Sequence, residues 1–547
     1  MNLIEGADRR EVLFFPECLD DYIPQDSPVR FIDAFVDSLD LKECGFSFPK
    51  QDINGRGRPA YHPVDLLKLF IYGYKNGLRS GRKLEKSCQI NLEVIWLLKK
   101  LTPDFKTICD FRKDNRNAFK KVTSAFTLFC RELNLITGKV VAVDGTPIKA
   151  SNNISKSWSP SKLDKELKKN KESIEKYLSD IEKFDDDPAP DAEERKKVLQ
   201  NKVERAKARK EKSSKMKTAL DEREHDHLSL TDPDSRTIKK NGKSCVGYNV
   251  QTAVDGEHKL IVCCEVTDKG NDLELLASMA KLAKEELELV DKCDLLTDAG
   301  YYNLIDIKEC EDMNMIPYLP TVNKSPKQRQ GFFGKRAFVY NRQKNIYTCP
   351  NKEALIKIRT TQQRDKVYYQ YANKKACENC PITSKCTDKK MRIVSRWEHE
   401  EYQERATERI NKNPEKMGER KGIVEHPYGT IKTQILVNGF LVRGKEMVQA
   451  EASLAHFAYN LKRVLNIVSL DKLISAVAAR VKQKKNLTLS TDTGASKRSF
   501  GSLIHLEYQI HRFFSLIKIK GKSTGVPSRF FILVKAKGTP TGVPNVA

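Results

Sequence analysis

Two aspartates end apolar runs in the same way. Asp144 follows Val140-Val141-Ala142-Val143 and is followed by Gly145, while Asp298 follows Leu295-Leu296-Thr297 and is followed by Ala299-Gly300. A strand buried by such a run delivers the acid at its end to the edge of a sheet. Two carboxylates on neighbouring strand ends are hard oxygen ligands, suited to a pair of Mg²⁺ or Mn²⁺ ions that drive in-line phosphoryl transfer. Glu425 is a third candidate, in Val424-Glu425-His426-Pro427-Tyr428-Gly429-Thr430-Ile431-Lys432. Proline is best tolerated in a first helical turn, so this helix is expected to open near Glu425. Lys432 then lies two turns along on the same face, placed to hold a phosphate. Taken singly, an aspartate before glycine is a common turn, and a glutamate at a helix start favours the helix dipole. The matched pair is what points to chemistry.

A second cluster is Cys349, Cys377, Cys380 and Cys386, spaced C-x27-C-x2-C-x5-C among 14 cysteines. Four thiolates suit one tetrahedral structural Zn²⁺, although the first pair is split and the last spacing is wide; four reduced thiols in a small β insertion is the alternative. Cys263 and Cys264 lie inside an apolar run and read as packing. His225 and His227, near Asp226, read as a solvated loop.

The elements that must carry these groups follow from periodicity. Helical spacing over Val29 to Leu39, Pro63 to Asn76, Arg82 to Leu97 and Asp104 to Leu133 predicts an all-α domain over 1–135. Its basic residues are Arg56 and Arg58 in the Gly55-Arg56-Gly57-Arg58-Pro59 arm, then Arg79, Arg82 and Lys83; with Lys421 they are the candidate DNA contacts. Strands are predicted over 139–144, 246–255, 260–266, 294–298 and 315–319, with helices from Asn271 to Leu289 and Asn303 to Met313. The order β-β-β-α-β-α-β describes an α/β ribonuclease-H-like mixed sheet. That catalytic domain, 139–480, is interrupted by a charged helical insertion at 155–235, with a break at Asp185 to Pro190, and by the cysteine-bearing β insertion at 324–395. Helices are expected to resume at Pro427, and 485–547 forms a tail of no assigned role.

Composition narrows the partner. Lys+Arg 98 against Asp+Glu 73 gives a formal net charge of +25, which a polyanion offsets, so DNA or RNA comes first. The opening MNLIEGADRREVLFF has no signal-peptide pattern, and no apolar run approaches the roughly 20 residues that span a bilayer, so a cytoplasmic protein with no membrane partner is expected.

Across roughly 10–480 the sequence resembles the DDE transposases of bacterial insertion sequences, in the group with an InsH-like helical N-terminal domain. The resemblance rests on Gly57-Arg58-Pro59-Ala60-Tyr61-His62-Pro63, Val143-Asp144-Gly145-Thr146, Gly247-Tyr248-Asn249-Val250-Gln251 with Val254-Asp255, Thr297-Asp298-Ala299-Gly300-Tyr301, Val424-Glu425-His426-Pro427-Tyr428-Gly429 and Ala458-Tyr459-Asn460-Leu461-Lys462-Arg463. It implies that Asp144, Asp298 and Glu425 bind two Mg²⁺ or Mn²⁺ ions and that Lys432 is the lysine of a Y-x2-R-x3-E-x6-K signature. Gly418 and Lys421 stand where that signature has tyrosine and arginine. It further implies binding of terminal inverted repeats, metal-dependent strand cleavage and transfer of element ends to target DNA, in a homodimer or higher assembly on DNA in the bacterial nucleoid. A nuclease without joining activity and a non-catalytic DNA-binding descendant are the alternatives.

Overall fold

A computed structural model describes residues 18–48, 59–183, 192–222, 227–240, 242–320, 328, 330–363 and 366–491. The chain divides into a compact unit through residue 473 and a second unit from 474. Within the first, six helices come before any strand: α1 (Pro28–Asp37), α2 (Pro63–Lys75), α3 (Gly81–Ile90), α4 (Leu92–Leu97), α5 (Phe105–Asp114) and α6 (Ala118–Glu132). Two helices expected as continuous are broken in two. Asn91 is extended and its side chain accepts from Val94 N to cap α4, and the Asn115 side chain accepts from Ser47 N instead of serving a helix. Asparagine competes with the helical ladder in this way, which apolar spacing does not register.

The main sheet has six strands: β1 (Val140–Lys149), β4 (Arg236–Lys240), β5 (Lys243–Asp255), β6 (Ile261–Thr267), β7 (Cys293–Leu296) and β8 (Met315–Tyr318), in the order β4-β5-β1-β7-β8 with β6 also on β5. β5 runs antiparallel to β1, β4 and β6, whereas β7 and β8 run parallel to β1. Helices α9 (Leu276–Glu286) and α10 (Leu304–Asp312) make the crossovers that parallel strands require. Between β1 and β4 lie the two-residue strands β2 (Ser157–Trp158) and β3 (Leu228–Ser229) and the helices α7 (Pro160–Glu182) and α8 (Ala192–Asp221), which close on Leu163, Met216, Leu220 and Leu228. Most of the expected break at Asp185 to Pro190 lies outside the described residues.

The cysteine-bearing insertion is a separate five-stranded antiparallel sheet of β9 (Val339–Asn341), β10 (Ile346–Thr348), β11 (Ala354–Gln363), β12 (Lys366–Ala372) and β13 (Val394–Trp397), with a short helix α11 (Lys374–Glu378). Phe338, Tyr347, Leu355, Tyr371 and Val394 form its core. Helices then return as α12 (Glu400–Lys412), α13 (Lys416–Thr430), α14 (Lys445–Ile467) and α15 (Leu470–Thr491), so they resume well before Pro427. Of the expected tail, 485–491 is the end of α15 and the rest lies outside the described residues.

Helix α14 holds the first unit together. Phe457 packs on Phe126 of α6 with ring centroids 4.6 Å apart and on Phe35 of α1 at 5.8 Å, so the helices before residue 135 share its core. Its other side closes the open edge of β6. Asn460 accepts from Ile261 N at 2.8 Å and donates to Ile261 O at 2.7 Å, and Gln449 accepts from Val266 N at 2.7 Å. An uncovered strand edge is a template for aggregation, and side-chain amides here complete the ladder. Tyr459 Oη donates to Lys259 O and Arg463 Nε to His258 O, so the Tyr459-Asn460-Leu461-Lys462-Arg463 run grips the turn between β5 and β6.

Candidate active site

Pairing between β1 and β7 runs from Val140 opposite Asp294 to Ala142 opposite Leu296 and stops there. Asp144 lies two residues past that point on β1, and Asp298 lies two residues past the end of β7. Asp144 is therefore in the middle of its strand and not at its close, because β1 continues to Lys149 against β5. The two parallel chains part just where the acids stand. Asp144 Oδ1 accepts from Gly145 N, and Asp298 Oδ1 accepts from Gly300 N at the head of a short 3-10 turn, Ala299–Tyr301, each at 2.8 Å.

One side chain joins them. Arg420 Nη2 lies 3.3 Å from Asp144 Oδ1 and 3.5 Å from Asp298 Oδ2, with the arginine side chain only 13% exposed. Arg420 comes from α13, which crosses β1, β5 and β7. On this helix Arg420, Val424 and Tyr428 recur at four-residue intervals and form the face turned to the sheet. Tyr428 donates its hydroxyl to the backbone carbonyl of Asp144.

Glu425 is one residue round from that face. Its carboxylate is 64% exposed and 3.8 Å from Lys421 Nζ, in the third turn of a helix that opens at Lys416. Pro427 is inside the helix, contrary to expectation, where it removes one ladder hydrogen bond. The chain continues past Thr430 as a π turn, Ile431–Ile435. Lys432 sits in that turn, exposed, with Nζ 6.0 Å from the Tyr428 ring centre. The structure thus brings Asp144 and Asp298 together around Arg420, brings Lys432 onto the tyrosine that holds Asp144, and leaves Glu425 on the flank with Lys421.

Sequence reasoning missed two members of this cluster. Arg420 was passed over for its neighbour Lys421. Asp272, in the loop before α9, accepts from Asn249 Nδ2 at 2.8 Å and Gln251 Nε2 at 2.7 Å. A Cβ at Gly145 would fall 2.2 Å from Asp272 Oδ1, and one at Gly300 would fall 2.9 Å from Asp298 Oδ1 and 3.6 Å from Asp272 Oδ2. The signal was Asn249 and Gln251, two amides at period two in an otherwise apolar strand, which must share a face and a partner. Tyr301, buried beside them, donates its hydroxyl to Gln251 Oε1. Burial first, then the negative charges of Asp272, Asp144 and Asp298, push the Tyr301 phenol well above its ordinary value. Burial and Asp144 do the same to Tyr428. The three aspartates therefore act on one small volume.

Hard carboxylate oxygens around a cation are the donor set that Mg²⁺ or Mn²⁺ selects, and the Arg420 guanidinium stands where such a cation would neutralise Asp144 and Asp298. Among the described residues no group of three or more His, Cys, Asp or Glu side chains has converged into ready metal-binding geometry, here or at the cysteines. Cys349, Cys377, Cys380 and Cys386 nevertheless line one cavity of about 20 Å³ in the small sheet. Burial, opposed in part by Arg392, raises the Cys386 thiol, and the other three cysteines add to the rise.

The candidate DNA contacts divide. Arg82 and Lys83 are exposed at the start of α3, with the Arg82 guanidinium 5.2 Å from the Phe105 ring centre. Lys421 is exposed beside Glu425. Arg79 is instead buried on Glu451 at 2.9 Å and cannot reach a ligand, because a buried acid draws the nearest cation inward. Arg56 and Arg58 lie outside the described residues. His227 is buried and not in a solvated loop, and burial lowers its imidazole; His225 lies outside the described residues.

Residues 17–114 match the family model described as "Transposase domain (DUF772)", and residues 348–465 match "Transposase DDE domain". The chain belongs to the DDE transposases of insertion elements. In this DDE transposase the second match contains Glu425, Lys432 and Glu451, while Asp144 and Asp298 fall between the two matched stretches. A cryo-EM structure of the piggyBac transposase synaptic complex with hairpin DNA aligns with 89% of this chain and 85% of that one, at 9% identity and a TM-score of 0.28. No curated protein matches the chain. No helix among the described residues is long and apolar enough to cross a membrane.

Proposed function

We propose that this transposase binds the terminal inverted repeats of an insertion sequence and catalyses cleavage and strand transfer of its ends at the parting of β1 and β7. The observation that carries the reading is Arg420, one cation shared by Asp144 and Asp298 on neighbouring parallel strands. Three antiparallel strands followed by two parallel to the first is the ribonuclease-H-like order, and we read the sheet in that sense. Asp144 and Asp298 would hold two Mg²⁺ or Mn²⁺ ions, with Glu425 on the adjacent helix as the third acid. Such ions activate an attacking water or 3′-hydroxyl and neutralise charge developing on the phosphoryl oxygens.

The chain's own residues supply position. Tyr428 fixes the Asp144 backbone, and Lys432 beside it offers a cation to a phosphate. Arg82, Lys83, Lys421 and the arm with Arg56 and Arg58 would follow the DNA backbone, with 1–135 as the repeat-binding portion. Holding element ends and target DNA at once calls for a homodimer or larger assembly, working in the cytoplasm at the nucleoid. The four cysteines would close around one structural Zn²⁺.

The test is cleavage and joining of inverted-repeat DNA in Mg²⁺ by the purified chain and by Asp298→Asn. The variant is expected to lose both reactions while its gel-shift affinity changes by less than about twofold, since the basic surface is intact. Near-normal cleavage by Asp298→Asn overturns the site. Cleavage by the natural chain without joining leaves a nuclease, and repeat binding without either reaction leaves a DNA-binding protein.

A further inference from the structure

We propose that Asp272 is a third aspartate ligand of this cation site, a role that rests on the phosphoryl-transfer reading above. Three features support it. The first is its position: Oδ1 lies where a Gly145 side chain would be, beside Asp144, and Oδ2 faces Gly300, beside Asp298. Both glycines keep clear a space that any Cβ would enter.

The second is the way the carboxylate is held. Gln251 Oε1 takes the Tyr301 hydroxyl, which fixes that amide with Nε2 toward Asp272. Asn249 adds a second N–H to the same oxygen. Two amides on Oδ1 set the plane of the carboxylate and leave Oδ2 as the oxygen turned to Asp298. A ligand oriented by hydrogen bonds to its other oxygen is the usual support for a metal-bound carboxylate.

The third is charge. Asp144, Asp272 and Asp298 act on the same buried Tyr301, whereas Arg420 pairs with two of them. Like charges so placed repel, and one guanidinium does not balance three carboxylates. A divalent ion restores the balance. Glu425 stands apart from this group, on the exposed flank of α13.

The experiment uses the full chain without DNA and Mn²⁺ as the probe. Mn²⁺ affinity is measured by titration calorimetry, and melting temperature is measured with and without the ion. Asp272→Asn is expected to lower Mn²⁺ affinity about tenfold or more, to leave the metal-free melting temperature unchanged or higher, and to shrink the rise that Mn²⁺ produces. A purely structural Asp272 gives the opposite pair, a lower metal-free melting temperature with the Mn²⁺ rise kept, and that result overturns the proposal. Asp144→Asn and Asp298→Asn separate the two levels of the argument. If they weaken Mn²⁺ binding and Asp272→Asn does not, this proposal fails alone; if all three bind Mn²⁺ as the natural chain does, the cation site itself is wrong. Should Asp272→Asn not fold, Gly145→Ala pushes the Asp272 carboxylate aside with every charge in place. It too must lose Mn²⁺ affinity, and affinity equal to that of the natural chain overturns the proposal.

Discussion

Glu451 Oε1 lies 2.9 Å from Arg79 Nη1, with the acid fully buried and the arginine nearly so, across 372 residues of sequence. The pair ties the start of α3 to α14. Glu451 Oε2 also accepts from the backbone N–H groups of Leu441 and Val442, and Arg79 donates to Gly439 O. Every strong polar group in this knot has a partner, the condition under which a buried ion pair is tolerated.

Glu451→Gln should therefore act on folding, with a loss of about 3 kcal/mol, because it leaves the Arg79 charge buried without its counter-ion. Glu425→Gln should leave the melting temperature where it is, the side chain being mostly exposed, and remove Mg²⁺-dependent cleavage. Lys432→Ala should slow cleavage less than Glu425→Gln does. Melts and cleavage rates on the three proteins decide it, and a well-folded Glu451→Gln that cannot cleave, beside an active Glu425→Gln, would move the third acid to α14.

Arg82→Ala and Lys83→Ala should each weaken binding to repeat and non-repeat DNA alike, and each should flatten the dependence of log affinity on log salt by about 0.9 if one phosphate contact is lost. Arg79→Ala should instead lower stability. Deleting 1–135 is a poor test of repeat recognition, since it strips Phe35 and Phe126 from Phe457 and exposes the core. Equal salt slopes for the natural chain and both surface variants would take DNA away from the start of α3.

Protein purified without chelators should carry about one zinc per chain, and Cys380→Ser should lower the melting temperature more than it lowers cleavage by the folded fraction. Four thiolates leave no open coordination position for substrate. Metal analysis that finds no zinc would mean that the cavity between Cys349, Cys377, Cys380 and Cys386 holds reduced thiols.

His456 gives the fold a pH dependence. It is fully buried on α14, and burial pulls its imidazole from 6.5 down to about 4. The unfolded chain then takes up the proton first, so this residue's contribution is present above pH 6.5 and is lost as pH falls toward 4, by about 3 kcal/mol in all. Denaturant titrations from pH 7 to pH 4 should show that decline and a shallower one in His456→Gln. The same slope in both proteins would assign the acid sensitivity to other groups.

Local pattern alone determined which segments are strands, which are helices, and that Asp144 and Asp298 end up on strands meant to be neighbours. These are properties of runs of five to fifteen residues, where burial of one face writes a period into the sequence. It also marked Glu451 as structural, from its place in an apolar helix, and grouped the four cysteines. Tertiary structure alone decided the partners. Asp272 and Gln251 are 21 residues apart with a strand and a loop between them, and Arg79 and Glu451 are separated by most of the chain. Neither leaves a local trace of whom it meets. Arg420 rather than Lys421 reaches the aspartates because one residue is 100° of helical turn, and only the packing of α13 on the sheet says which side is inward. Pro427 continues that helix for the same reason: burial against β1 outweighs the lost hydrogen bond that, in isolation, would have ended it.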